Sequence, residues 1–171
     1  SYSGWTAYSA SSAWLLDAGD GLHSVYGQFR DGAGNVANFA DDITVDTAAP
    51  TAGFVINGDA TQTNDPDVTL TNTSLDAFEM QFSNDGVTFS GWAPYAATFN
   101  WVLPAGDGIA TVHGQFRDVA GNVMAASDDI VLDTTAPDAS FVINDNDALT
   151  NDANVTLNNM VTGATEMQFS N

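Results

Sequence analysis

The residues of this chain with chemistry to offer are oxygen donors set in turns. Asp118-Val119-Ala120-Gly121-Asn122 places a carboxylate and an amide four positions apart around a glycine, and Asp31-Gly32-Ala33-Gly34-Asn35 does the same. Asp46, Asp76 and Asp133 stand in other polar stretches. Carboxylate, amide and carbonyl oxygens are the ligands of Ca²⁺, which takes six to eight of them at about 2.3–2.6 Å. The same residue types also build turns without any metal, because their side chains bond their own backbone. Known calcium patterns are absent. Asp145-Asn146-Asp147 lacks the glycine and closing glutamate of an EF-hand loop, and no glycine-rich calcium nonapeptide occurs.

Other chemistries find less support. The carboxylate pair Asp128-Asp129 suggests acid–base work, but neighbours on a strand point to opposite faces and cannot act together across one bond. His23 and His113 are isolated on strand positions, as surface residues commonly are. No nucleophile–base pair, phosphate loop or zinc pattern is present, so the chain does not read as an enzyme. Trp92 and Trp101, with Trp5 and Trp14, could form a sugar-binding platform or could pack between strands. Asn72-Thr73-Ser74 and Asn154-Val155-Thr156 match the glycosylation sequon, a weak signal because it is common by chance.

What positions these residues is a repeat. Ser3-Gly4-Trp5 returns as Ser90-Gly91-Trp92, Gly27-Gln28-Phe29-Arg30-Asp31 as Gly114-Gln115-Phe116-Arg117-Asp118, and Glu79 to Asn84 as Glu166 to Asn171. The offset is 87 throughout, and more than half of the paired positions are identical. A fixed period is the mark of an array built from one supersecondary unit. The histidines do not repeat: their counterparts are Ala110 and Tyr26. The tryptophans and the arginines do, which favours structural roles for them. Arg30 and Arg117 each read as holding a local aspartate or an aromatic ring, or else a neighbouring unit.

Composition narrows the class further. Across 171 residues, 22 acids face two basic residues, for a formal charge of −20. Phosphate binding needs a basic surface, so nucleic acid and anionic membranes are not expected partners. Self-repulsion on this scale weakens a compact state unless cations screen or bind it. There is no cysteine, and therefore no disulfide, and no lysine for an isopeptide crosslink. No apolar run approaches the roughly 18 residues of a membrane-spanning helix.

Along one unit, short strands alternate with turns. Phe54-Val55-Ile56 and Val68 to Thr71 read as strands, with a polar loop, Asn57 to Asp67, between them. Phe78, Met80 and Phe82 alternate with polar residues, a period-two strand. Phe89 to Tyr95, Phe99 to Leu103, Val112 to Arg117 and Asp128 to Asp133 complete the set. Seven or so strands at this spacing predict an all-β fold, a β-sandwich with immunoglobulin-like (Ig-like) topology or another small antiparallel sandwich.

The string Gly-Gln-Phe-Arg-Asp-x-Ala-Gly-Asn-Val, followed by Asp-Asp-Ile-x-x-Asp-Thr-x-Ala-Pro, resembles the tandem bacterial Ig-like repeats of large surface proteins. So do Glu-Met-Gln-Phe-Ser-Asn-Asp-Gly and the Gly-Asp-Gly ahead of Val112. The resemblance covers the whole chain. It implies tandem Ig-like β-sandwich repeats of 87 residues and an extracellular, non-catalytic role. On that topology the Asp118–Asn122 turn lies where the linker enters, so Asp46 should meet Asp118, the Gly121 carbonyl and Asn122, with Asp76 in the neighbouring loop. A Ca²⁺ ion could bind there, as it does at the junctions of related repeats. Asp31 and Asp133 would belong to equivalent junctions.

The expected organisation is a C-terminal part of one repeat (residues 1–46), a complete repeat (47–133) and the N-terminal part of the next (134–171). The two partial units are complementary. Only the equivalent of Asp85-Gly86-Val87 separates residue 171 from residue 1 in register, so residues 134–171 of one copy and 1–46 of the next make one unit. The expected function is a segment of an extracellular filament, stalk or adhesin shaft, with identical copies or adjacent repeats as partners. The alternative is a cell-surface module that binds glycan or a host surface.

Overall fold

The computed structural model describes residues 2–170. Its elements are strands and turns with one short 3-10 turn at Asn144–Asn146. The strands are β1 (Gly21–Arg30), β2 (Val36–Val45), β3 (Thr51–Ile56), β4 (Gln62–Thr63), β5 (Asp67–Leu75) and β6 (Glu79–Ser83). They continue as β7 (Ala93–Pro94), β8 (Thr98–Val102), β9 (Gly108–Arg117), β10 (Val123–Leu132), β11 (Asp138–Ile143) and β12 (Leu157–Thr162).

The middle of the chain is built from two sheets, one ordered β3-β5-β8 and the other β4-β10-β9-β6-β7. All pairings are antiparallel except the short parallel contact of β4 with β10. Each strand turns alternate side chains inward, as the pleat dictates. From the first sheet come Phe54, Ile56, Val68 and Leu70; from the second, Met80, Phe82, Ala110, Val112, Phe116, Ile130 and Leu132. These faces share one core, so the fold here is a β-sandwich. Phe82 is its hub. Its ring centroid lies 5.3 Å from Phe54, 5.3 Å from Phe99, 5.9 Å from Phe116 and 6.0 Å from Trp101. Gly114 is small because the phenylalanines crowd it: a β-carbon there would sit 2.8 Å from Phe54 Cε1.

Several strand expectations need correction. Phe78 lies just outside β6 and its side chain is exposed, although its N–H donates to the Arg117 carbonyl at 2.7 Å and its carbonyl accepts from Tyr95 N at 2.9 Å. Only Ala93–Pro94 of the expected Phe89–Tyr95 strand pairs, because Gly91 takes φ +89° and proline cannot extend a ladder. The last strand starts at Val123 rather than Asp128. Within the expected loop after Ile56, Gln62–Thr63 crosses from the first sheet to pair with Val131 and Leu132.

Two hairpins flank this sandwich. β1 pairs β2 from Gly21↔Val45 to Arg30↔Val36, and β9 pairs β10 from Gly108↔Leu132 to Arg117↔Val123, the same register moved by 87. β11 pairs β12 from Asp138↔Thr162 to Ile143↔Leu157, matching β3 and β5 from Thr51↔Leu75 to Ile56↔Leu70. The faces differ in burial. Phe116 is fully buried while its counterpart Phe29 is 53% exposed, and Phe82 is fully buried while Phe169 is 50% exposed.

Candidate functional site

The junction between the first hairpin and the sandwich is where the predicted site residues meet. Beyond β2 the chain runs through Asp46 into β3, and the turn between β9 and β10 lies alongside. Asn122 Nδ2 donates to the Asp46 carbonyl at 3.0 Å and to Asp118 Oδ2 at 2.9 Å. Asp118 Oδ1 accepts from Gly121 N at 2.7 Å and Asn122 N at 2.9 Å. Gly121 takes φ +98°, a backbone conformation that side chains disfavour, which explains the glycine. The Asp118 side chain is therefore the acceptor around which the turn folds, and it is 7% exposed. Hydrogen bonds, first from the Asn122 side chain and then from the turn's N–H groups, hold its carboxyl below the usual aspartate value.

The other turn is built alike. Asp31 Oδ1 accepts from Ala33 N at 2.9 Å and Asn35 N at 2.8 Å, and its Oδ2 accepts from Asn35 Nδ2 at 2.8 Å. The Asn35 side chain, ahead of the backbone donors, depresses the Asp31 carboxyl too. Asp133 begins the next linker as Asp46 begins the first: Thr135 N donates to Asp133 Oδ1 and Ala48 N to Asp46 Oδ1, both at 3.1 Å. The structure thus brings Asp46, Asp118 and Asn122 together. Asp76 is exposed in the turn between β5 and β6, whose Phe78 N donates to the Arg117 carbonyl beside Asp118, and no hydrogen bond joins the Asp76 side chain to the others among the described residues. Among the described residues no three His, Asp or Glu side chains gather in a metal-holding arrangement.

Sequence reasoning missed a second set of junction contacts. Asp20, just before β1, accepts from Thr47 N at 3.1 Å and Thr47 Oγ1 at 2.9 Å. Asp107, just before β9, accepts from Thr134 N at 2.9 Å and Thr134 Oγ1 at 2.7 Å, and its other oxygen from Thr135 Oγ1 at 2.5 Å. Each aspartate ties the linker that leaves a unit to the loop that opens its long hairpin. The Thr135 hydroxyl, then the other threonine donors, hold the Asp107 carboxyl low. The signal was legible: Asp20 to Thr47 and Asp107 to Thr134 share one spacing, and Gly-Asp-Gly repeats.

Asp128 was missed as well. Its Oδ2 accepts from Ile56 N at 2.8 Å, so a side chain of β10 satisfies an edge N–H of β3 and ties the two sheets together. The pairing of an acid with an adjacent strand's backbone has no one-dimensional signature.

Arg117 and the tryptophans serve packing. The Arg117 guanidinium stacks on Trp92 at 4.3 Å from the ring centroid and pairs with Glu79 at 2.5 Å. The local reading therefore fits, with a glutamate in place of an aspartate. Trp101 Nε1 donates to Asn84 Oδ1 at 2.6 Å. Arg30 stacks on Trp5 at 4.4 Å, but among the described residues no carboxylate completes it. The histidines lie apart: His23 Nε2 faces the Gly19 carbonyl at 2.9 Å, and the His113 ring covers Gly86. Asn72 is buried and donates to the Ala96 carbonyl at 2.9 Å, so the first sequon offers no surface acceptor. No helix of the described residues is long and apolar enough to cross a membrane.

No protein-family model matches the chain, and no curated protein matches it either.

Proposed function

We propose that this chain is a structural segment of an extracellular filament, stalk or adhesin shaft, built from tandem Ig-like sandwich repeats. The observation that carries this reading is the shared register: both flanking hairpins reproduce pairings of the complete sandwich at an offset of 87. The Ig-like assignment draws on the two-sheet strand order and on the parallel crossover of β4 onto β10. A shaft needs stiff joints, and Asp20, Asp107 and Asn122 clamp the linkers with short side-chain bonds that flexible tethers lack.

The aromatic residues favour a shaft over a glycan-binding module, since Trp92 and Trp101 are engaged by Arg117 and Asn84. Ca²⁺ at the junction belongs to this proposal. The carbonyl of Asp46 and the carboxylate of Asp118 both lie against Asn122, and the chain carries an excess of acid that cations would relieve. The turn's own N–H groups already occupy the Asp118 carboxylate, so an ion would have to share or replace them.

Immunogold labelling of intact source cells with antibodies against the chain tests the reading. Decoration of thin extended structures outside the cell is expected; labelling that needs permeabilised cells overturns it.

A further inference from the structure

The Asp46–Thr47 peptide group is held from both sides, by the first hairpin and by the sandwich. Its N–H donates to Asp20 Oδ1, just ahead of β1, at 3.1 Å. Its carbonyl accepts from Asn122 Nδ2, in the turn between β9 and β10, at 3.0 Å. The peptide is trans, so these two groups point in opposite directions and cannot serve one partner. Both partners are themselves anchored. Thr47 Oγ1 gives Asp20 Oδ1 a second donor at 2.9 Å. Asn122 Nδ2 also donates to Asp118 Oδ2 at 2.9 Å, and the Asp118 N–H donates to the Asn122 carbonyl at 3.2 Å.

The rest of the linker has little freedom of its own. Ala48 N is tied to Asp46 Oδ1 at 3.1 Å, and Pro50 is buried at the entry to β3. Whether the hairpin and the sandwich keep one orientation is therefore decided largely at the Asp46–Thr47 peptide. The carboxylate grip is made again by Asp107 on Thr134, so it belongs to the repeat and not to one linker.

We propose that this peptide group is a two-sided lock, with cooperative grips that give the joint two states, locked and hinged. An amide whose carbonyl accepts a hydrogen bond is polarised and becomes a stronger N–H donor. A peptide already held by one partner also has less conformational entropy to lose to the other. Each grip thus strengthens its opposite, and loss of either gives the hinged state. Independent bonds would instead loosen the joint by separate steps. The lock deepens the shaft reading and rests on it for its purpose, but its two states belong to the joint and are measured on the purified chain.

Amide hydrogen exchange at Thr47 supplies the first test. The Asn122 side chain meets the carbonyl side of the peptide and not its N–H. Asn122→Ala should nevertheless speed exchange at Thr47 about threefold or more, while Thr134, held by Asp107, keeps its rate. Acceleration confined to residues 118–122 overturns the lock. Equal acceleration at Thr134 overturns it too, because that marks a general loosening.

The second test enters from the other side. Spin labels on Ser24→Cys and Ser127→Cys, exposed positions of β1 and β10 in a chain with no cysteine, report the separation of hairpin and sandwich. The unaltered joint should give a narrow distance distribution. Asp20→Ala and Asn122→Ala should each broaden it to the same width, and the double variant no further. Asp20→Asn, which keeps an acceptor oxygen, should leave it narrow. A distribution already broad without these changes, widths that add in the double variant, or no broadening in Asp20→Ala overturns the lock, while the cell-surface labelling still decides the shaft.

Discussion

At the scale of single residues, aspartate side chains acting as backbone acceptors hold this protein's turns and linkers. Asp31, Asp107 and Asp118 all sit below the usual aspartate value of 3.8, each because hydrogen-bond donors favour the charged form. A depressed folded-state value gives stability that is fully present above the unfolded value and lost as pH falls through the folded one. Thermal melting should accordingly decline below about pH 4, measured in high salt so that relief of the acidic repulsion does not mask the loss. Asp118→Asn, which keeps an acceptor but cannot be protonated, should flatten that decline; an unchanged pH profile would contradict the role given to Asp118. The linker clamp is a separate matter. Asp107→Ala should leave the core's melting nearly unaltered while loosening the 133–137 linker, read as faster hydrogen exchange at Thr134 and Thr135.

Between residues and the whole lies the packing of strand on strand. Gly114 on β9 and Asp128 on β10 show how the two sheets are fitted. Gly114→Ala drives a methyl group toward Phe54 Cε1 at 2.8 Å and Phe82 Cε1 at 3.1 Å, and should cost about 1–3 kcal/mol by chemical denaturation. Asp128→Ala leaves the N–H of fully buried Ile56 without its acceptor and should cost about 1–3 kcal/mol. Asp129→Ala, at the exposed neighbouring position, should change stability by less than about 0.5 kcal/mol. Much of this level was legible beforehand. Alternation along Met80–Phe82 and Val112–Phe116 placed β6 and β9, because a half-buried strand must alternate. The two-residue strand β4 was not, since Gln62 and Thr63 are polar and owe their pairing to where β10 happens to lie. Phe78 misled because it continues the apolar alternation of Met80 and Phe82 yet stays exposed just ahead of β6.

For the molecule as a whole, charge governs. With a formal charge of −20, added monovalent salt should raise the melting temperature by screening repulsion among the acids. Calcium, if it joins the junction, should add stabilisation beyond the same ionic strength of sodium, and a chelator should remove that increment. Equal melting with and without chelator would eliminate the ion from the joint.

The sequence by itself determined the repeat, its register, the strand-rich class and the kinship of the two hairpins with parts of the complete unit. Those follow from local periodicity and from identity at a constant offset, both of which are one-dimensional. Tertiary structure alone decided which oxygen each aspartate offers and to whom. Asp118 closes its own turn, Asp107 and Asp20 clamp linkers, and Asp128 staples two sheets, although all four are the same residue in similarly polar surroundings. It also decided that identical apolar positions are buried in the sandwich and exposed in the hairpins. Burial depends on having a facing sheet, and a strand's own residues cannot supply one.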